Sequence, residues 1–255
     1  MRLKLEQTLA QWRHWQGRET LPGAPHVIRW LDGGISNYNV LVQAEDQRFV
    51  VRLDRASPAA NGLNRQAEWR ALGYAHQAGI APQPRYYNPE LGALVCDYLE
   101  PDVVGQPSTE ALATLLRAIH ALPSVRYRMD PGERMRRYER QLPPHQKALL
   151  DLGNAVRTAS VGSIEVQCLC HHDLNAGNLL FSAGRLYALD WEYCAMGNPW
   201  FDLAVVIDEH GFESDLREAL LQTYLERPVD SADLIRLHGQ KLVARYLSLL
   251  WYATG

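Results

Sequence analysis

The stretch Cys170-His171-His172-Asp173-Leu174-Asn175-Ala176-Gly177-Asn178 runs on to Asp190-Trp191-Glu192, and it places an acid, an amide and a second acid within one short segment. Leu179 to Phe181 and Arg185 to Leu189 are apolar, β-prone runs around Ser182-Ala183-Gly184, which reads as a tight hairpin. Folding about Ala183 and Gly184 is expected to bring Asn178 opposite Asp190, at about 5 Å between Cα atoms. An amide and a carboxylate meeting beside a nucleotide suit Mg²⁺, a hard cation that takes oxygen ligands and keeps some of its waters. Asp173 lies in the same loop as Asn178, close to such an ion without being needed to bind it. A carboxylate held there can accept the proton of an attacking hydroxyl.

The elements that must position these groups follow in chain order. Leu3, Leu5, Leu9, Trp12 and Trp15 fit one face of an N-terminal helix that ends before Gly17. Strands are expected at His26 to Leu31, Tyr38 to Ala44 and Phe49 to Leu53, an antiparallel meander. Between the first two, Gly33 and Gly34 let a backbone approach a phosphate closely and Ser36 and Asn37 add donors; Gly-Gly between strands is equally an ordinary turn. Leu63 to Gln77 has helical spacing, with Glu68 near its middle, either paired with a cation or exposed beside Arg65 or Arg70. Ala81-Pro82-Gln83-Pro84 breaks it, and strands Arg85 to Tyr87 and Ala93 to Tyr98 follow. Ser108 caps an amphipathic helix carrying Leu112, Leu115, Leu116 and Ile119. Two helices separated by Pro143-Pro144 occupy Pro123 to Ser163, on the substrate side. Asn198 to Glu209 enters a helix that buries Leu203, Val206 and Ile207, and Leu234 to Tyr252 is a last helix bearing Tyr246, Trp251 and Tyr252. Aromatic faces beside a carboxylate attract an ammonium group, although aromatics at helical spacing are also core.

The pattern His-x-Asp-x-x-x-x-Asn, a hairpin and then Asp resembles the catalytic and metal-binding loops of protein-kinase-like enzymes. His172 stands where protein kinases carry Arg, and Trp191-Glu192-Tyr193 follows Asp190 in place of Phe-Gly. That is similar to the aminoglycoside phosphotransferase and choline kinase superfamily. Leu189-Asp190-Trp191-Glu192-Tyr193 and Asn198-Pro199-Trp200-Phe201-Asp202-Leu203-Ala204 narrow the resemblance to bacterial choline/ethanolamine kinases and thiamine kinases.

The resemblance implies an α+β, two-lobed protein-kinase-like fold. Residues 1–99 would form a nucleotide-binding lobe, an antiparallel sheet plus a helix, and residues 100–255 a mainly helical lobe with the catalytic β-hairpin and the substrate site. It implies ATP and Mg²⁺, with Asp173 as base, Asn178 and Asp190 on the metal, and Glu192 at a second metal. Gly33, Gly34, Ser36 and Asn37 would meet the phosphates, and Arg52 would steady them where other kinases use Lys, paired with Glu68. The carbonyl of Asp97 and the amide of Leu99 would face the adenine edge, and Asp202 would brace the catalytic loop. Glu209 and Asp208, with Trp200, Trp251 and Tyr252, would line the amine end of the acceptor site. The acceptor implied is a small molecule with a hydroxyl and a cationic group, choline- or ethanolamine-like, with thiamine or an aminoglycoside-type compound as alternatives. After Asp233 the chain has no further Asp or Glu, which disfavours an aminoglycoside. A nucleotide-binding pseudokinase is the non-enzyme alternative, and the presence of all three central polar residues argues against it.

Composition bounds the rest. A chain of 255 residues with 47% hydrophobic content can bury a real core, and a formal net charge of −3 gives no basic face for nucleic acid or an anionic membrane. Arg134, Arg136, Arg137 and Arg140 cluster, but Glu133 and Glu139 interrupt them, so a solvated helix face is expected. Four cysteines without paired spacing or a secretory leader point to a reducing cytoplasm. Cys168-x-Cys170-His171-His172 lacks a second ligand pair, which favours small buried side chains over zinc. No run approaches the roughly 20 apolar residues a bilayer span needs.

Overall fold

A computed structural model describes residues 1–16, 21, 23–31, 37–55, 62–103, 105–159 and 167–254. Five strands, β1 (His26–Leu31), β2 (Asn37–Ala44), β3 (Gln47–Asp54), β4 (Pro84–Asn88) and β5 (Ala93–Asp97), form an antiparallel sheet in the order β1-β2-β3-β5-β4. Alternate residues Val40, Val42, Phe49, Val51 and Leu53 are buried together with Leu5, Trp15 and Leu21. Because side chains alternate across a strand, Arg52 projects from the opposite face to Val51 and Leu53.

The N-terminal helix α1 (Arg2–Ala10) is shorter than expected. It gives way at Gln11 to a 3₁₀ turn over Trp12–His14, which sets Trp15 edge-on to Phe49 at 5.4 Å. Leu3 is 65% exposed while Leu5 is buried. Two residues on an α-helix are about 200° apart, so these two leucines cannot share a face. Asn64 caps α2 (Arg65–Gln77) by accepting from the Ala67 amide at 3.0 Å, and Ala67, Glu68, Ala71, Leu72 and Ala75 are its buried positions.

The remainder is mainly helical: α3 (Thr109–His120), α4 (Pro131–Glu139), α5 (Leu149–Ala159), α6 (Pro199–Glu209), α7 (Ser214–Leu225) and α8 (Ser231–Thr254). Ser108 caps α3 as expected, and α7 is an element the sequence reading did not name. Two short antiparallel pairs frame the segment that carries Asp173, Asn178 and Asp190: β6 (Cys168–Cys170) with β9 (Ala195–Gly197), and β7 (Leu179–Ser182) with β8 (Arg185–Ala188). Ala183 (φ 49°) and Gly184 (φ 73°) are both left-handed, the signature of a two-residue type I′ turn whose twist matches the strands. Asp102 accepts from both turn amides, at 3.0 and 2.8 Å, and Ala188 donates to the Ile80 carbonyl at 2.9 Å. These bonds lock the hairpin against the segments leaving β5 and α2. Among the described residues, no helix is long and apolar enough to cross a membrane.

Candidate active site

The hairpin register is Leu179↔Ala188, so the residue facing Asn178 is Leu189, whose amide donates to the Asn178 carbonyl at 2.8 Å. The expected Asn178–Asp190 opposition is therefore off by one position. A two-residue turn at Ala183-Gly184 fixes the sum of paired positions, and Asp190 falls one step past the end of the ladder. It still converges on the site, because its left-handed backbone (φ 54°, ψ 69°) takes its side chain out of the strand, and Asp residues tolerate that conformation. Asp190 Oδ1 accepts from Arg52 Nη1 at 3.0 Å.

Asp173 is held by its neighbours. Asn178 Nδ2 donates to its carbonyl at 2.8 Å and to its Oδ2 at 2.9 Å, and Asn175 Nδ2 donates to its Oδ1 at 3.1 Å. Burial pushes the Asp173 carboxyl up to about 7, with Asp190 and Glu192 adding repulsion and the two amides opposing it. Burial and then Glu192 raise Asp190 to about 6 against the pull of Arg52. Behind the loop, Asp202 accepts from the amides of His171 (2.7 Å) and His172 (2.8 Å) and lies 3.2 Å from His120 Nε2. These partners outweigh its burial and hold it at about 2. The expected brace is in place, and His120, which the sequence reading did not single out, completes it.

Beneath the five-stranded sheet lies an ion network. Arg52 makes two contacts with Glu68, one of them at 2.8 Å, and Glu68 also accepts from Arg65 Nη1 at 2.9 Å. Arg65 reaches Glu192 Oε2 at 3.1 Å, and Asn37 Nδ2 donates to the same oxygen at 2.9 Å. Glu68 thus bonds both Arg52 and a neighbour on its own helix, where the sequence offered these as alternatives. Arg65, expected only beside an exposed Glu68, is instead buried with it, three residues before it on α2 at a spacing that makes them neighbours. Glu192 and Asn37 have structural work here that the expected metal and phosphate roles did not include. Gly33, Gly34 and Ser36 lie outside the described residues. Asp97 ends β5, its amide bonded to the Gln83 carbonyl and its carboxylate to Arg85, and Leu99 follows beyond the ladder.

A cavity of about 750 Å³ joins Asp173, Asn178, Asp190 and Glu192 to α6 and α8. Arg52 meets it through Asp190. Glu209, Asp208, Trp251 and Tyr252 line the far end, as expected. Two candidates change. Trp200 does not line the cavity; it packs against the core shared by α2, α3 and α6. Asp208 is ion-paired with Lys241 (2.6 Å) and Arg245 (2.6 Å), which spend its charge. Tyr246 is core, its hydroxyl donating to Glu139 at 2.7 Å. Arg134, expected on a solvated face, lines the cavity with its guanidinium 5.3 Å from the Tyr193 ring, because α4 turns one side toward the cavity.

This combination, a sheet lobe with a buried Arg–Glu pair over a helical lobe whose loop and hairpin ends carry the acid, amide and acid, defines a protein-kinase-like phosphotransferase fold. The chain belongs to the phosphotransferase enzyme family, which it matches over residues 27–235. It is 32% identical over 194 residues to the thiamine kinase of Escherichia coli O1:K1, covering 72% of this chain and 69% of that protein. Its fold is similar to choline kinase LicA from Streptococcus pneumoniae (TM-score 0.74, 24% identity, 90% of this chain and 86% of that one). It is likewise similar to a choline/ethanolamine kinase family protein from Mesorhizobium loti (TM-score 0.70, 20% identity, 97% and 85%). The protein is therefore an enzyme, a small-molecule kinase with a hydroxyl acceptor.

Proposed function

We propose that this enzyme transfers the γ-phosphoryl group of ATP, carried with Mg²⁺, to the hydroxyl of a small cationic alcohol, thiamine being the first acceptor to test. The observation that carries this reading is the convergence of Asp173, Asn178 and Asp190 on one cavity, with Arg52 bonded to Asp190 at its edge. The donor set fits a hard cation. Asn178 spends its Nδ2 on Asp173, which leaves its Oδ1 as the oxygen it offers, and Asp190 keeps Oδ2 beyond its bond to Arg52. Asn178 and Asp190 would hold Mg²⁺, which when bound neutralises phosphate charge; Glu192 Oε1 would serve a second ion. Arg52, oriented by Glu68, would steady the phosphates, with Gly33, Gly34, Ser36 and Asn37 as the further phosphate-binding residues, and adenine would lie at the Asp97 carbonyl and Leu99 amide. The boundary between the lobes then follows Leu99, and the enzyme works in the cytoplasm.

Asp173 accepts the proton of the acceptor hydroxyl. A carboxyl raised to about 7 by burial is poised for that task near neutral pH, where a base of ordinary carboxylate strength would be weak. The acceptor cation sits near Glu209, which is exposed and makes no ion pair among the described residues, and against Trp251 and Tyr252. Thiamine is favoured by the 32% identical relative, and choline or ethanolamine is the second reading, from the fold neighbours. Mg²⁺-dependent ATP consumption measured against thiamine, choline, ethanolamine and an aminoglycoside tests both. Turnover with none of them would remove the proposal that the acceptor is a small cationic alcohol.

A further inference from the structure

Behind the catalytic loop, outside the cavity, β6 carries Cys168 and Cys170, and the last residue of α3, His120, reaches them. The two sulfurs are 3.8 Å apart, and one ligand atom from each of the three residues lies within 4.8 Å of the others. Zinc binds thiolate at about 2.3 Å and imidazole at about 2.0 Å, so a tetrahedral angle sets S···S near ~3.8 Å and S···N near ~3.5 Å. The thiols already stand at the spacing of one tetrahedral edge, and only the imidazole has to close in, by about 1 Å. Cys168 is half-buried and provides the entry side, while Cys170 is fully buried. The Cys-x-Cys pair has no second ligand pair near it in sequence; the fold supplies the third ligand from α3.

We propose that His120, Cys168 and Cys170 form a binding site for Zn²⁺ or a similarly thiophilic divalent ion, and that filling it slows catalysis. His120 is the link. Its Nδ1 lies 2.8 Å from the Tyr224 hydroxyl and its Nε2 3.2 Å from Asp202, so ligating a metal means surrendering one of these bonds. Asp202 is the carboxylate that fixes the amides of His171 and His172, directly before Asp173. On binding, two S–H bonds break, two metal–sulfur bonds form, both protons leave to solvent, and water fills the fourth position; no electrons are transferred. Turning the imidazole toward the metal releases one corner of the brace that sets the catalytic loop.

Titrating the metal-free protein with Co²⁺ tests the site directly. Stoichiometric thiolate-to-cobalt charge-transfer and tetrahedral ligand-field bands are expected, displaced by Zn²⁺ and absent from Cys168→Ser and Cys170→Ser. At saturating Mg²⁺ and ATP, stoichiometric Zn²⁺ should lower turnover about tenfold, the effect of one lost charge-assisted hydrogen bond. A zinc-selective chelator should restore it. Cys168→Ser should keep its turnover and resist zinc. Absence of the cobalt–thiolate bands overturns the site. Inhibition that persists in Cys168→Ser overturns the coupling to the brace and places the inhibitory zinc among the magnesium ligands.

Discussion

The two ends of the cavity are built differently. Under the sheet, Arg52, Arg65, Glu68 and Glu192 interlock, and each of these buried charges has an opposite partner. Under α8, Glu209 stands exposed, Asp208 is spent on Lys241 and Arg245, and Trp251 and Tyr252 meet edge to face with Tyr252 70% exposed. Stabilising charge on a transferring phosphoryl group requires groups that are already in place, since reorganising them during the reaction would cost what they supply. Recognising a cation at the surface requires only a carboxylate and an aromatic face. In the proposed reaction the first end would therefore set the chemistry, and the second would leave the choice of acceptor to a few replaceable side chains.

Substitutions at each end sharpen this contrast. Asp190→Ala should lower kcat roughly a thousandfold or more while the circular dichroism spectrum is preserved; comparable turnover would show that the metal is held elsewhere. Glu68→Ala removes the carboxylate that two buried arginines share, leaving Arg52 to Asp190 and Arg65 to Glu192 and Asp54, and should cost about 3 kcal/mol in urea unfolding. A cost near zero would mean that the network is not an interlocked unit. Asp173→Asn should reduce kcat about 10²- to 10⁴-fold with the KM for ATP little changed, and unchanged turnover would remove its role as base.

Stability against pH probes the loop between the two ends. His172 is buried and held at about 4, chiefly by loss of solvation, below its ordinary 6.5. The unfolded chain therefore binds this proton first, so the stability that His172 contributes is full above pH 6.5 and is lost as pH drops toward 4, by on the order of 3 kcal/mol. Asp173 and Asp190, raised to about 7 and about 6, take up protons first in the folded chain and oppose it. His172→Asn, which suits the left-handed backbone there (φ 63°), should remove the His172 contribution, so that the stability difference between the native chain and the variant falls as pH drops from 6.5 toward 4. Smallest is Glu209→Gln, which should raise the KM for a cationic acceptor about tenfold and leave that for ATP unchanged; equal effects on both would merge the two ends into one.

How much of this was legible varies with distance along the chain. Asp173, Asn178 and Asp190 sit within one loop and one hairpin, and turn chemistry at Ala183-Gly184 brings them together by short-range rules. The one-residue slip follows from the turn itself, since folding about Ala183-Gly184 pairs Asn178 with Leu189; what spacing does not reveal is the left-handed backbone that brings Asp190 back to the site. Arg65 and Glu68 were visible as helix neighbours, but their joint partners, Arg52 and Glu192, come from β3 and from the turn after the hairpin. Trp200 and Arg134 were misplaced because a helix's apolar and charged faces show that it has two sides and not which one meets a cavity.

Local order along the chain was thus enough to announce phosphoryl-transfer chemistry and a sheet followed by helices, because motif, turn and periodicity act over a handful of residues. Which charges neutralise one another, that Asp208 is spent and Glu209 is not, and that His120 stands between Asp202 and two cysteines were settled by packing of elements far apart in sequence. Electrostatic partners are chosen by distance in space, and periodicity carries no record of it.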